Sequence, residues 1–417
     1  MGGKSIKECG MRSAKCVMKN EECGMRNYRI ISFCVVLFLL FTIVGFLWPE
    51  KSDAIPYFSR KYNSQCAMCH VQFPRLNTTG MTFKQNGYRL KGENGEFIWQ
   101  DKVFPFSGMA VLKYRMINRK GEGWIPESGN REDGSQNIFL IDEMEFFSAG
   151  TLAPRVSYFL SLGSEMEMGF EPGVAFIIFD DILPESKLNI KAGKFYNEFL
   201  HLAEKRRLTF EPYMAPVSRI QYGVELNGEV QSRWGIRYAG GVANDELAKE
   251  KAGQTGVGYV DELDVSNNIQ AFYGWLAYNM PGYTMGVRGY TAKAGEGPYK
   301  GVMNDHTQFD ININIDFKPV IFTLAYYIQS NVDGVDGDDQ NNLLTELVFA
   351  AGPQLLVDFR YELQDKDILK DKDSRYVLNT GYYFSPNIAV MGEYSRQDGK
   401  ESQKDENKLQ IGIQLVF

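Results

Sequence analysis

Apolar and polar residues alternate along most of the chain after about residue 104. In the stretch FDININIDF, residues 309–317, apolar side chains occupy every second position and polar ones the positions between. A period of two is typical of a β-strand whose two faces meet different environments. Such segments recur with centres near residues 111, 143, 160, 177, 191, 224, 238, 273, 288, 311, 325, 346, 359, 380, 392 and 412. The pattern predicts about sixteen strands, an even number, as single-chain membrane barrels have.

Short and long connections alternate between these segments. The short ones include FKP, AGP and SPN, whereas the long ones are polar and Gly-rich, as in NRKGEGWIPESGNREDGS. Tight turns on one side and longer loops on the other are typical of outer-membrane barrels. The terminal Phe417, which closes an alternating strand, resembles the carboxy-terminal signature of bacterial outer-membrane proteins. We therefore predict an all-β fold, a transmembrane antiparallel β-barrel over residues 106–417.

The amino end has the pattern of an export signal. An apolar stretch at residues 30–48 follows Arg26 and Arg29, and small residues at 52–54 offer a cleavage site. We expect a signal peptide over residues 1–54, with Met25 as an alternative start, and export to the bacterial outer membrane. A retained anchor is the alternative, since the run is just long enough to span a bilayer.

The chemistry of the mature chain is concentrated in Cys66-Ala-Met-Cys69-His70. Four of the six cysteines lie at or before residue 34, so only Cys66 and Cys69 remain after cleavage. The C-x-x-C-H spacing in an exported protein is typical of covalent attachment of haem c. The two thiols would bind the vinyl groups, and His70 would be the proximal ligand of the iron. A small disulfide loop is the alternative interpretation.

The segment that carries this motif, residues 55–105, does not alternate. A short helix is expected after Asn77 or Thr78, which can cap it, and before Gly87, which can end it. About fifty residues are too few to bury a haem alone, so we expect this mono-haem cytochrome segment to plug the barrel lumen. Its net charge is +4, and residues 1–54 carry +3 in a chain of net charge −7, which leaves −14 beyond residue 105. A basic plug and an acidic barrel are electrostatically complementary.

Several residues are candidates for the distal ligand of the haem iron. Met81 lies on the expected helix, eleven residues after His70, and is the first candidate. His201 is the alternative, because it lies in a non-alternating stretch between strands that could fold inward. His306 opens a strand and is expected at the surface.

Charge limits the partners of the protein. A net charge of −7 argues against nucleic acid. The expected outer loops are acidic, and they would concentrate divalent cations at the barrel mouth. The acidic positions are Asp261, Asp264, Asp333, Asp336, Asp338 and Asp339 in the loops, and Glu143, Glu145, Asp358 and Glu362 on lumen-facing strand positions.

Residues 55–92 resemble the fused outer-membrane cytochrome–porins of iron-oxidising bacteria. The matching positions are Pro56, Arg60, Cys66, Cys69, His70, Pro74, Leu76, Asn77, Gly80, Phe83, Gly87 and Tyr88. In that family a mono-haem segment precedes a porin-like barrel, and the barrel resemblance here is one of architecture. The resemblance implies oxidation of extracellular Fe(II) and transfer of electrons to periplasmic c-type cytochromes, by an electron carrier rather than a conventional enzyme.

Two other functions are compatible with the sequence. Electrons could run outward to extracellular acceptors, because sequence does not set the direction. The protein could also be a passive porin whose haem is structural or sensory.

Overall fold

The computed structural model describes residues 57–90, 92–120, 134–165, 171–230, 235–245, 271–292, 305–332, 337–352, 354–366, 371–399 and 405–417. The expected signal peptide lies outside these ranges, as do Asp261, Asp264, Asp333 and Asp336.

Within the described residues, sixteen consecutive strands form one closed antiparallel barrel. They are β3 (Ser107–Lys120), β4 (Gly134–Ala153), β5 (Val156–Glu165), β6 (Glu171–Leu183), β7 (Leu188–Tyr196), β8 (Ile220–Val230), β9 (Ile236–Asp245), β10 (Ala271–Met280), β11 (Tyr283–Ala292), β12 (His306–Phe317), β13 (Val320–Ser330), β14 (Gln340–Ala351), β15 (Leu355–Lys366), β16 (Asp371–Ser385), β17 (Ile388–Asp398) and β18 (Asp405–Val416). Each strand pairs with its sequence neighbours, and β18 closes the ring on β3, with Leu415 opposite Ala110. All sixteen predicted strand centres fall inside these strands, so the predicted fold class is confirmed.

The two faces of the strands have opposite chemistry. On β12, Asp310, Asn312 and Asn314 point into the barrel and are at most 3% exposed, whereas Phe309 and Ile311 point outward. The outward apolar row and inward polar row are the arrangement of a barrel with a lipid-facing exterior. The described residues contain no helix with the length and apolar content needed to cross a membrane.

The residues before β3 form a plug inside the barrel, which we define as residues 57–106. It contains α1 (Tyr57–Tyr62), a hairpin of β1 (His70–Gln72) with β2 (Arg75–Leu76), and α2 (Thr78–Gln85). As expected, the Asn77 side chain caps α2 by accepting a hydrogen bond from Gly80 N at 2.9 Å, and Gly87 follows with φ +66°.

Contacts with strands around the ring hold the plug inside the lumen. Gln85 donates to Gly228 O of β8 at 3.1 Å, and Tyr383 of β16 donates to Phe73 O at 2.9 Å. Arg75 is 2% exposed, is ion-paired with Glu346 of β14 and donates to Thr323 of β13 at 2.7 Å. The predicted charge complementarity is therefore realised by direct ion pairs between plug and wall.

A second segment enters the lumen between β7 and β8. We call residues 197–219 the inward loop. It reaches the opposite wall, where Arg360 of β15 donates to Thr209 Oγ1 and Glu211 O, both at 2.7 Å. Glu393 of β17 accepts from Phe210 N at 2.6 Å. The expectation that the stretch around His201 folds inward is thus met.

Candidate haem-binding site

The C-x-x-C-H motif forms a tight turn at the centre of the plug. Cys66–Met68 is a single 3₁₀ turn, closed by Cys69 N donating to Cys66 O at 3.1 Å. Both thiols are free and half-buried, and burial raises the pKa of each. The turn presents two unjoined sulfur atoms, the state required for two thioether bonds.

Asn77 fixes the shape of this turn. Its amide nitrogen donates to Met68 O at 3.1 Å, to Ala67 O at 3.2 Å and to His70 O at 3.4 Å. Because its amide oxygen also caps α2, one side chain joins the motif to the helix. Gly80 lies so close to this turn that a Cβ there would overlap Cys69 O. These contacts give a structural role to Asn77 and Gly80, two of the positions that carry the sequence resemblance.

His70 is oriented for metal binding. Its Nδ1 lies 3.2 Å from Pro74 O, which assigns the proton to Nδ1 and leaves Nε2 as the ligating nitrogen. Burial lowers the pKa of His70 to about 4, so the imidazole is neutral at physiological pH. A neutral imidazole whose other nitrogen donates to a backbone carbonyl is the usual form of a metal-ligating histidine.

Cys66, Cys69 and His70 line a cavity of ≈ 340 Å³. Its other walls come from the inward loop and from strands β3 to β10. Aromatic rings run from the plug onto the wall in successive contact. Tyr88 stacks on Phe159 at 5.6 Å between ring centroids, and Phe159 stacks on Phe176 at the same distance. The motif therefore faces a space lined by aromatic and charged side chains of the plug, the inward loop and the wall.

The chemistry of the lining fits a haem. Flat aromatic walls suit the porphyrin, and the two thiols with His70 supply the covalent and axial attachments. The same cavity also contains three buried donor atoms without a hydrogen-bond partner among the described residues: Tyr88 Oη, Arg237 Nη1 and Trp275 Nε1. Buried donors normally have acceptors, so these three indicate a ligand that also carries acceptor groups.

The structure separates the candidate distal ligands. Met81 of α2 is 8% exposed and lines the cavity with the motif. Within the described part of the chain, His201 is not among the lining residues. Burial and the nearby Arg75 and Arg237 lower the pKa of His201 to about 3. Met81 remains the candidate, and the geometry does not support His201.

His306 departs from its expected surface position. It is 2% exposed, and its Nε2 lies 3.0 Å from Arg219 Nη2. The inward row of β12 begins with His306, so strand register and not loop exposure decides its environment.

The other side of the lumen, along β11 to β18, is filled by ion pairs and by apolar clusters between the inward loop and the wall. Arg288 is ion-paired with Asp310, and Arg360 Nε lies 2.7 Å from Glu362 Oε1. Asp358 and Glu362 are at most 1% exposed, and Glu362 also accepts from Met214 N of the inward loop at 2.5 Å. These two lumen-facing carboxylates are therefore buried, and they do not line the cavity. Glu145, by contrast, does line the cavity.

Several residues of the cavity were not predicted from the sequence. They come from lumen-facing strand positions and from the inward loop, and they include Phe159, Phe176, Glu198, Arg206 and Arg237. Alternation identifies the inward face of a strand, but it does not show which inward residues share a cavity. An arginine at an inward position of an otherwise small-residue strand, such as Arg237 in IRYAGGVA, is the signal that could have been used.

The chain matches no protein-family model and no curated protein sequence. Solved structures are similar in fold. An anion-selective porin from Comamonas acidovorans matches with TM-score 0.54 and 12% identity, over 75% of this chain and 98% of that one. The barrel has the porin fold. The outer membrane channel DcaP of Acinetobacter baumannii matches with TM-score 0.52 and 10% identity, over 75% and 96%. OmpF of Salmonella typhi, in a complex with daunomycin, matches with TM-score 0.51 and 13% identity, over 75% and 97%.

Proposed function

We propose that this protein is an electron-transfer protein of the bacterial outer membrane that works through one covalent haem. The electrons would come from extracellular Fe(II) and pass to periplasmic c-type cytochromes. The observation that carries the proposal is the position of Cys66, Cys69 and His70 on a cavity enclosed inside a porin-type barrel. A haem bound there would supply a one-electron Fe(III)/Fe(II) couple.

The residues of the chain have distinct roles in this proposal. Cys66 and Cys69 would tether the group and His70 would ligate the iron, while Asn77 holds the turn that presents all three. Met81, as the distal ligand, would raise the potential. The barrel wall separates the site from lipid.

Fe(II) is the substrate in this proposal, and its assignment rests on the family resemblance of residues 55–92. Acidic outer loops would raise the local concentration of the cation. Among these loop residues, Asp338 and Asp339 are described, and Asp339 accepts a hydrogen bond from Asn331 N at 3.2 Å. The iron needs to reach only the haem edge, so no dedicated iron ligands are required.

A passive channel is the second candidate function, and the fold likeness to channels favours it. The packing of the lumen argues against it. In a water-filled pore the inward polar side chains would be solvated, whereas Asp358, Asn379 and Glu346 are at most 1% exposed. An exporter, with the same site and outward current, differs from the main proposal only in direction.

The test is a stopped-flow experiment on purified mature protein at near-neutral pH. Denaturing gels should first show a band that stains for haem peroxidase activity, and Cys66→Ala should abolish or weaken it. Mixing with Fe(II) should then produce the reduced α-band without a soluble mediator. Rapid reduction by dithionite but none by Fe(II) would exclude iron oxidation and leave the exporter or the sensory haem. A wild-type protein without covalent haem would exclude electron transfer altogether.

A further inference from the structure

The cavity beside the motif is lined by charged as well as aromatic side chains. Five cationic side chains line it: Lys84, Lys191, Lys205, Arg206 and Arg237. Three carboxylates line it: Glu145, Glu198 and Glu225. Lys205 also has a carboxylate outside the lining, since its Nζ lies 3.5 Å from Glu143 Oε1.

Two of the cations share one partner. Arg206 Nη1 lies 2.5 Å from Glu198 Oε1, and Lys84 is ion-paired with the other oxygen of the same carboxylate. Burial and Arg206 lower the pKa of Lys84 to about 8. The Glu198 carboxylate is thus ion-paired with Lys84 of the plug and with Arg206 of the inward loop.

Arg237 is the least compensated of the five. It is 4% exposed, its Nε donates to Gln85 Oε1 at 2.5 Å, and its Nη2 donates to Met81 O at 3.4 Å. Both partners are neutral, and Nη1 has no partner among the described residues. Glu229 stands opposite Arg237 across the β8–β9 pair, but no ion pair joins the two, so the desolvation of the guanidinium is only partly offset.

Trp275 provides a second unpaired donor next to Arg237. Strand β10 places Ala277 opposite Arg237 and Trp275 opposite Ala239, so Arg237 and Trp275 are diagonal neighbours on the lumen face. Such diagonal neighbours lie about 7–8 Å apart, within reach of long and aromatic side chains. Both side chains line the cavity, and the indole Nε1 has no partner among the described residues.

We propose that Arg237 and Trp275 of the barrel wall bind one carboxylate of the ligand in this cavity, while the Lys84–Arg206 pair faces a second. Arg237 Nη1 and Trp275 Nε1 lack partners among the described residues, and a planar guanidinium is suited to bidentate recognition of a carboxylate. The inference rests on the proposed function, in which the ligand is haem and the carboxylates are its propionates. The haem would then be attached covalently to the plug, while β9 and β10 of the barrel wall bind its propionate edge.

This arrangement gives the barrel wall an influence on the haem potential. A positive charge near the haem favours addition of an electron, so loss of the Arg237 charge should favour the oxidised state. Loss of the Trp275 N–H should leave the net charge unchanged but alter the hydrogen bonding of the carboxylate.

The test uses the haem-loaded full mature chain in detergent, with haem content and barrel folding verified for each variant. In a spectroelectrochemical titration, Arg237→Gln should weaken reduction by roughly tenfold, a shift of about 59 mV to lower potential for a one-electron couple. Arg237→Lys should stay closer to wild type. Arg115→Gln is the matched control: Arg115 is also a strand arginine, is paired with Asp142 at 3.2 Å and does not line the cavity. Its potential should not change.

Trp275→Phe is the second variant, because it keeps an aromatic ring and tests the site even if Arg237→Gln fails to assemble. Resonance Raman spectra should show a shifted propionate bending band in Trp275→Phe. An unshifted potential in a folded Arg237→Gln variant, or an unshifted band in Trp275→Phe, would overturn the inference while leaving a haem-loaded wild type, and so the proposed function, intact. A wild type without haem would overturn both.

Discussion

The two sides of the barrel interior are built differently. Along β11 to β18 the lumen is filled by ion pairs and by the inward loop, as at Arg360 with Glu362 and Arg288 with Asp310. Along β3 to β10 it is lined by rings such as Phe159 and Phe176, and it leaves a cavity of ≈ 340 Å³. The polar side fixes where the plug and loop lie, whereas the aromatic side leaves space for a large flat ligand. The difference shows how one barrel can both hold a plug and accommodate a cofactor beside it.

The broadest effect should come from a change that prevents the whole barrel, and with it both sides of the lumen, from forming. Ile313 points outward from β12, between Asn312 and Asn314, which point inward. An arginine at the lipid midplane costs about 2–4 kcal/mol, so Ile313→Arg should block assembly of the barrel. Heat-modifiable migration on gels measures this, with Ile313→Leu as the control. Normal folding of Ile313→Arg would contradict the strand register.

Breaking the polar side alone should release the plug. Arg75→Leu leaves Glu346 buried without its partner, at a cost of about 3–5 kcal/mol. We expect the barrel to persist, the plug to become sensitive to protease, and single-channel conductance to rise. Lys61→Met is the control, because the Lys61–Asp101 pair, with N···O 2.7 Å, lies nearer solvent and such pairs contribute at most about 1 kcal/mol.

The double variant Arg75→Leu/Glu346→Leu sharpens the same comparison. Replacing both partners removes the unpaired charge, so part of the plug's protease resistance should return. If Arg75→Leu alone leaves protease resistance and conductance unchanged, the polar side does not anchor the plug.

Filling the aromatic side should affect the ligand and not the barrel. Ala149 of β4 lines the cavity and is 6% exposed, so Ala149→Phe would occupy ligand space and cost about 1–3 kcal/mol through overpacking. Covalent haem per protein, measured from the pyridine haemochrome spectrum, should fall. Ala110→Phe, on the outward face of β3, should leave it unchanged. Equal haem content in the two variants would show that the ligand lies elsewhere.

The smallest effect should follow from loosening the motif itself. Asn77→Ala removes the cap of α2 and three hydrogen bonds to the motif carbonyls, and caps contribute about 0.5–2 kcal/mol. We expect a lower yield of covalent haem with a normal barrel. Thr78→Ala, at the neighbouring exposed position, is the control. Equal yields of covalent haem in the two variants would show that Asn77 does not hold the motif for haem attachment.

The barrel could be predicted from the sequence because strand alternation is a local signal. Each strand has one face toward the lumen and one toward lipid. The polarity of a residue such as Ile311 or Asn312 therefore indicates which face it lies on. The helix cap at Asn77 was predictable for the same reason, since capping involves residues three positions apart.

The interior could be predicted only in part. The motif identified Cys66, Cys69 and His70, but the walls of the cavity come from residues far apart in sequence, such as Phe159 and Arg237. Asn312 illustrates the limit: alternation places it in the lumen, where a larger residue would be tolerated if the lumen were open. It is 1% exposed, because plug and loop fill the space, and no local pattern reports that.

The most direct test of the central claim reconstitutes the mature protein in liposomes that contain an oxidised c-type cytochrome and a small fluorescent dye. Fe(II) is added outside, and internal cytochrome reduction and dye release are followed together. The proposed function predicts reduction without dye release, and loss of that reduction in Cys66→Ala. Reduction that occurs only when dye escapes, or that persists in Cys66→Ala, would contradict it and favour a passive channel.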